Sequence, residues 1–166
     1  MKKILLFVLA LAVIPVGVDA QVTPSASCAD LSFESGESPW LDYPLEDLRT
    51  CAEQGDVGAQ FALGFMYATG EGVPEDDVEA VRWYRLAAEQ GLAEAQSNLG
   101  FMYHTGEGVP EDIVLAYMWY NLAAAQGNEI AQENKDRAEE IMTREQIAEA
   151  QRLSREWLEA HPPSGN

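Results

Sequence analysis

The sequence predicts an all-α fold, an α/α superhelix or solenoid of stacked helix hairpins closed by C-terminal capping helices, and three observations carry the prediction. A 36-residue block, GDVGAQFALGFMYATGEGVPEDDVEAVRWYRLAAEQ at 55–90, returns as GLAEAQSNLGFMYHTGEGVPEDIVLAYMWYNLAAAQ at 91–126 with about two-thirds of its positions unchanged. Self-similarity at that period marks arrays of helix pairs. Within each block apolar and small residues recur at helical spacing, and a glycine- and proline-containing turn divides the block into two helical halves.

Before the array, residues 1–20 read as a secretory signal peptide: a basic start at Lys2 and Lys3, an apolar run from Ile4 to Ile14 too short to span a bilayer, and small or modest side chains at Val18, Asp19 and Ala20. Removal of this segment leaves enough chain for one domain with a continuous core. Residues 21–43 form a largely irregular arm. It carries Cys28, which is expected to bond to Cys51 in an oxidising compartment and to pin the arm onto the first helix. Closing that loop stabilises the fold by about 3 kcal/mol on the chain-entropy account.

Residues 44–54 end in Cys-Ala-Glu-Gln-Gly, matching the Ala-Ala-Glu-Gln-Gly that ends the block at 55–90, and read as a degenerate half repeat. In that block, Ala59, Leu63, Met66 and Tyr67 make the inner stripe of the first helix, and Ala80, Trp83, Tyr84, Ala87 and Ala88 that of the second. Between them, Gly70 and Gly72 permit positive φ and Pro74 cannot continue the preceding helix. Asp76 stands at the next N-cap, with Glu79 three residues on as the partner of a capping box. Gly55, Gly91 and Gly127, at the same period, are expected to cap the second helices.

Gly64 and Gly100 lie inside first helices, where glycine costs about 1 kcal/mol relative to alanine. Close approach of a neighbouring helix explains them, and the expected neighbour is the indole of Trp83 or Trp119. Both tryptophans fall on the apolar stripe and are assigned to the core. At 127–160, Lys135, Asp136 and Arg137 replace Leu99, Gly100 and Phe101, so one face has turned polar. A capping box of Thr143 and Gln146 opens a final helix with an inner stripe of Ile147, Ala150, Leu153 and Trp157, ended by Pro162 and Pro163. This pair reads as a C-terminal cap, and 161–166 as a disordered tail.

The residues Ala59, Leu63, Gly64, Tyr67, Gly70, Gly72, Val73, Pro74, Asp76, Ala80, Trp83, Tyr84, Ala87 and Ala88, with their counterparts one period on, resemble the Sel-one-like repeat (SLR), a relative of the tetratricopeptide repeat. The resemblance implies a right-handed superhelix acting as an adaptor. It also implies a secreted or periplasmic bacterial protein in envelope regulation or host contact. A cysteine-rich branch of that family, with a disulfide in every repeat, has been associated with β-lactam binding. This chain lacks those cysteines, so that activity is not carried over.

The net charge of −18, one unit more negative once 1–20 is removed, excludes nucleic acid and anionic lipid as partners, because no cationic cluster is present to neutralise phosphates. It favours a protein or peptide partner, a basic one included, and the mature chain has no segment for stable membrane insertion. No G-x-S-x-G, H-E-x-x-H or phosphate loop occurs. The pairs Glu71 with Glu75 and Glu107 with Glu111 are chance neighbours in a chain with 28 acidic residues. Neither a calcium-loop spacing nor a Cys/His zinc spacing is present, and no cofactor, metal or catalytic residue is assigned.

Positions free to vary on a constant scaffold face outward. On the first helices these give the candidate partner-binding set Phe61, Ala62, Phe65, Ser97, Asn98, Phe101 and His104, on the concave face. The arm, with Leu31, Phe33, Trp40, Leu41 and Tyr43, is an equal contender for the same groove. On the second helices, Ile113, Leu115, Tyr117 and Met118 are more apolar than Asp77, Glu79, Val81 and Arg82, as packing beneath the C-terminal cap requires. The sequence therefore predicts a non-catalytic interaction module of the bacterial cell envelope. The alternatives are a cell-wall-directed hydrolase, a β-lactam- or peptidoglycan-binding protein, and a module that forms a homodimer through an open end.

Overall fold

The computed structural model describes Cys28 and residues 43–162. The expected signal peptide at 1–20, the arm apart from Cys28 and Tyr43, its contenders Leu31, Phe33, Trp40 and Leu41, and the tail from Pro163 onward lie outside the described residues. Those described form seven α-helices and no strand: α1 Leu45–Glu53, α2 Val57–Thr69, α3 Asp77–Glu89, α4 Ala93–Thr105, α5 Ile113–Ala125, α6 Glu129–Ile141 and α7 Arg144–Ala160. Helices α2 with α3, and α4 with α5, are the hairpins of the two sequence blocks, and α3 packs on α4 to join them.

Most boundaries have a chemical cause. The Asp76 carboxylate accepts from the backbone N–H groups of Val78 and Glu79, both at 3.1 Å, and Asp112 does the same for Val114 and Leu115 at 3.0 Å. Glu79, expected to complete a capping box, instead receives Arg82 at 2.9 Å. A capping box is present at α7, between Thr143 and Gln146. Each second helix ends in a Schellman arrangement. After α3, Gly91 N–H donates to Ala88 C=O and Leu92 N–H to Ala87 C=O, with Gly91 at φ 93°; the same pattern follows α1 and α5.

Ala59, Leu63, Ala80, Ala87, Ala88, Ala95 and Leu99 are fully buried between the helices. Trp83 and Trp119 are buried at 3% and 7% exposure, as their place on the stripe requires. They are not, however, what Gly64 and Gly100 accommodate. A Cβ on Gly64 would lie 2.5 Å from the Tyr84 ring, and one on Gly100 would lie 2.8 Å from that of Tyr120. Adjacent residues on a helix point about 100° apart, so the tyrosine faces the glycine within its own hairpin while the tryptophan points elsewhere. Trp119 meets the edge of Trp157 on α7, ring centroids 6.1 Å apart.

Two polar ladders repeat with the array. Buried Gln60 and Gln96 donate to Ala52 C=O and Ala88 C=O, and each accepts, at 2.8 Å, from the glutamine that ends the following second helix, Gln90 or Gln126. Arg49 donates to the Tyr67 hydroxyl at 3.0 Å, and Arg85 to that of Tyr103 at 2.8 Å. A disulfide joins Cys28 to Cys51, which is buried on α1, with Cα atoms 5.5 Å apart.

Beyond α5 the array pattern stops. Only Ala131 and Ala138 of α6 are buried. The two-residue link Met142–Thr143 is extended, and α6 and α7 each pack on α5 rather than chiefly on one another. Tyr117, Ala138, Met142 and Ala150 form the junction of the three helices, with Ile113 half-buried against it. Met118 and Leu122 join the main core, to which Trp157 and Leu153 also pack. No helix among the described residues is long and apolar enough to cross a membrane.

Candidate partner-binding face

The 36-residue period places three positions of α2, α4 and α6 in register: Ala62, Asn98 and Asn134; Phe65, Phe101 and Arg137; Ala68, His104 and Glu140. Four of the seven predicted contact residues stay accessible on these helices. Phe101 is the most open, at 46% exposure; Phe65, Asn98 and His104 are half-buried.

Phe61, Ala62 and Ser97, expected to face outward, are instead buried at 6%, 1% and 5% exposure. Phe61 leans on Tyr84 with ring centroids 5.8 Å apart, so its exchange for serine in the second copy reflects a different neighbour and not an open surface. Variation also fails to mark the aromatic pair: Phe65 and Phe101 are the same residue at equivalent positions.

Phe101 and His104 share a cavity of about 360 Å³ with Tyr120 below and Asn134, Arg137 and Ile141 from α6. Its floor and wall were legible only in part. Tyr120 belongs to the core stripe by spacing, yet its buried hydroxyl has no hydrogen-bond partner. In the preceding hairpin the Asn98 side chain lies by the equivalent Tyr84 hydroxyl, and Asn134 is the counterpart of Asn98. Register alone could have paired Tyr120 with Asn134; the cavity between them could not have been read from it.

Burial holds the hydroxyls of Tyr84 and Tyr120 well above the usual phenol range, with the Asn98 hydrogen bond partly opposing this for Tyr84. The Tyr120 hydroxyl is therefore a neutral donor at any physiological pH. The His104 ring lies 6.3 Å from that of Tyr120. Arg137 meets Glu133 at 3.8 Å, both mostly in solvent, a geometry of little energetic weight. Asn134 and Arg137 thus bring an amide and a guanidinium to an apolar rim of Phe101 and Ile141, the latter 69% exposed. Among the described residues, no group of three or more His, Cys, Asp or Glu is placed to hold a metal ion.

The pattern of the Sel1 repeat family matches residues 57–92 and 93–128. The exopolysaccharide production negative regulator of Rhizobium meliloti (strain 1021) is 42% identical over 52 residues, 31% of this chain and 19% of that protein. The protein of that name from Rhizobium leguminosarum bv. viciae is 38% identical over 52 residues, 31% of this chain and 20% of that protein. The chain thus spans about a fifth of the length of these curated relatives.

Among solved structures, a protective antigen present in uropathogenic Escherichia coli strains, displaying an SLR fold, superposes with a TM-score of 0.67 and 39% identity over 69% of this chain and 25% of that one. A Sel1 repeat protein from Oxalobacter formigenes gives a TM-score of 0.51 and 37% identity over 52% of this chain and 25% of its own. Sel1 repeats typically mediate protein–protein interaction, and their fold is generally a non-catalytic scaffold. The chain thus carries two tandem Sel1 repeats, on the hairpins α2–α3 and α4–α5, and its fold is an all-α solenoid of helical repeats like that of its SLR-fold neighbours.

Proposed function

We propose that the chain is a non-catalytic interaction module of the bacterial cell envelope that binds a protein or peptide along the first helices of its repeats, with Phe101 at the centre of the contact. The observation that carries this reading is the exposure of Phe101, 46%, in the middle of a register row shared with Phe65 and Arg137 and beside a cavity. Aromatic side chains offer large contact area at low entropic cost, so an exposed one flanked by polar groups has the make-up of an interface anchor.

The basic and apolar pattern of 1–20 supports an envelope location, as does the disulfide. Two similar proteins, an exopolysaccharide production regulator and a protective antigen, point the same way.

Phe101→Ser tests the face. Capture of a partner from envelope extract is expected to fall at least about 10-fold, the usual effect of losing an anchor, with helix content by circular dichroism unchanged. Val78→Ser, at a 64%-exposed site on α3, serves as the control and retains capture. Equal capture by both variants removes this face from consideration.

A further inference from the structure

We propose that the cavity between α4, α5 and α6 receives a carboxylate carried beside an apolar group on the partner. The orphan hydroxyl of Tyr120, the amide of Asn134 and the guanidinium of Arg137 would meet the oxygens, and Phe101 and Ile141 the apolar group. The inference deepens the reading of the first-helix face as a partner surface and rests on it.

The protein contains its own control for this site. Tyr84 and Tyr120 occupy equivalent positions, each flat against a helical glycine, and Asn98 and Asn134 are equivalent residues on the next first helix. In the first pair the Asn98 side chain lies by the hydroxyl and favours its charged form against the burial that raises its pKa. In the second, Tyr120 is completely buried, its hydroxyl is without a partner, and the residue lines about 360 Å³ of space. Leaving a buried hydroxyl unpaired is costly, so a ligand atom that accepts from it recovers that cost.

The choice of carboxylate follows from the chemistry of the lining. Arg137 only donates, the Tyr120 O–H is free to donate, and the Asn134 amide adds N–H donors. A carboxylate presents two oxygens with several lone pairs and is the group that guanidinium forks match best. The aromatic face of Phe101 and the Ile141 side chain leave no polar demand on the other side, which calls for an aliphatic neighbour. In a chain with net charge −18, Arg137 is one of only ten Lys and Arg residues, and it occupies the position that Phe65 and Phe101 hold in the repeats.

The test uses nuclear magnetic resonance titration of the chain with three small probes. N-acetyl-L-leucine presents a chain-end carboxylate, N-acetyl-aspartyl-leucinamide a side-chain carboxylate, and N-acetyl-leucinamide no charge. At least one acid is expected to shift His104 and Asn134 saturably, with a dissociation constant on the order of 1 mM for a ligand of this size. Whichever acid binds more tightly identifies the source of the carboxylate. The uncharged amide is expected to bind roughly 10-fold more weakly, and Tyr120→Phe and Arg137→Gln each to weaken the acid by about 5-fold or more. Tyr84→Phe leaves binding unchanged.

Equal binding of acid and amide, wild-type affinity in Tyr120→Phe, or no saturable shift with any probe overturns the proposal. If the acids fail while partner capture still depends on Phe101, the carboxylate is wrong and the face stands. If capture ignores Phe101, the face falls and this site with it.

Discussion

Tyr84 and Tyr120 are the same residue in the same register, and they differ in what their hydroxyls meet. Asn98 lies by the Tyr84 hydroxyl, whereas the Tyr120 hydroxyl has no partner, so removing the two hydroxyls should have unequal effects. Tyr84→Phe loses the polar contact with the Asn98 amide, an expected cost of about 1 kcal/mol. Tyr120→Phe removes an unpaired polar atom and should be neutral within about 0.5 kcal/mol or stabilising. Urea unfolding of both variants checks this, and equal losses would mean that the second hydroxyl is bonded after all. The positions of both rings, against Gly64 and Gly100, were half legible. A helical glycine repeated at one period announced a close approach, but with Trp and Tyr adjacent on the facing helix, spacing alone did not choose between them. Phe61, Ala62 and Ser97 eluded the sequence for a related reason. Variation between copies reports a change of neighbour, and at the first helices that change took place inside the core.

At the scale of elements, the loop joining α4 to α5 is seated on the start of α3, and Gly108 makes the contact. A Cβ there would stand 2.1 Å from the Asp77 carbonyl oxygen, on a residue at φ 66°. Its counterpart Gly72 has a similar φ, 75°, but a Cβ there would meet only the flexible end of Met66, at 2.8 Å. Both alanine variants carry the left-handed backbone penalty of roughly 1–2 kcal/mol. Gly108→Ala must in addition displace backbone, and is expected to cost about 3 kcal/mol or more in total. Thermal unfolding of the pair measures the difference, and equal melting temperatures would show that the loop does not bear on α3. The Cys28–Cys51 bond is a second join between elements, with a sequence separation of 23. Its removal by Cys28→Ser with Cys51→Ser should cost about 3 kcal/mol, and thiol counting on the denatured, unreduced chain should find none free. The repeat hairpins were legible because each has its own cap and turn. The placement of α7 was legible in part: the apolar Ile113, Tyr117 and Met118 of α5 announced a surface beneath the C-terminal cap, but the stripe of Ile147, Ala150, Leu153 and Trp157 did not say how α6 and α7 would divide it. The link at Met142–Thr143 is extended, and α7 packs on α5.

Over the whole molecule, the polar ladders end where the array ends. Gln132, in register with Gln60 and Gln96, bonds to Asp136 on its own helix, and the position that would supply the next glutamine is Pro162. Stability is thus distributed along a row of similar units joined by apolar contact and a few buried hydrogen bonds, and no charged side chain is buried among the described residues. Tyrosines carry the pH dependence on the alkaline side. Burial raises the pKa of Tyr84, Tyr117 and Tyr120 above the ordinary 10.0, and for Tyr117 the nearby Glu139 and Asp136 carboxylates add to the rise. A group whose folded pKa exceeds its unfolded pKa contributes stability that is complete below the unfolded value and lost as pH rises through the folded one. The melting temperature should therefore show no tyrosine-linked loss from neutral pH up to about 10. Above that it should fall steeply, as three phenols are drawn toward an unfolded state in which they ionise freely and the net charge of −18 grows more negative still. Near-ultraviolet absorbance should then show part of the tyrosinate signal arriving only with loss of helix. Ionisation of all six tyrosines together near pH 10, with helix content intact, would show that these three rings are reached by solvent and that the seam between hairpins is looser than its packing implies.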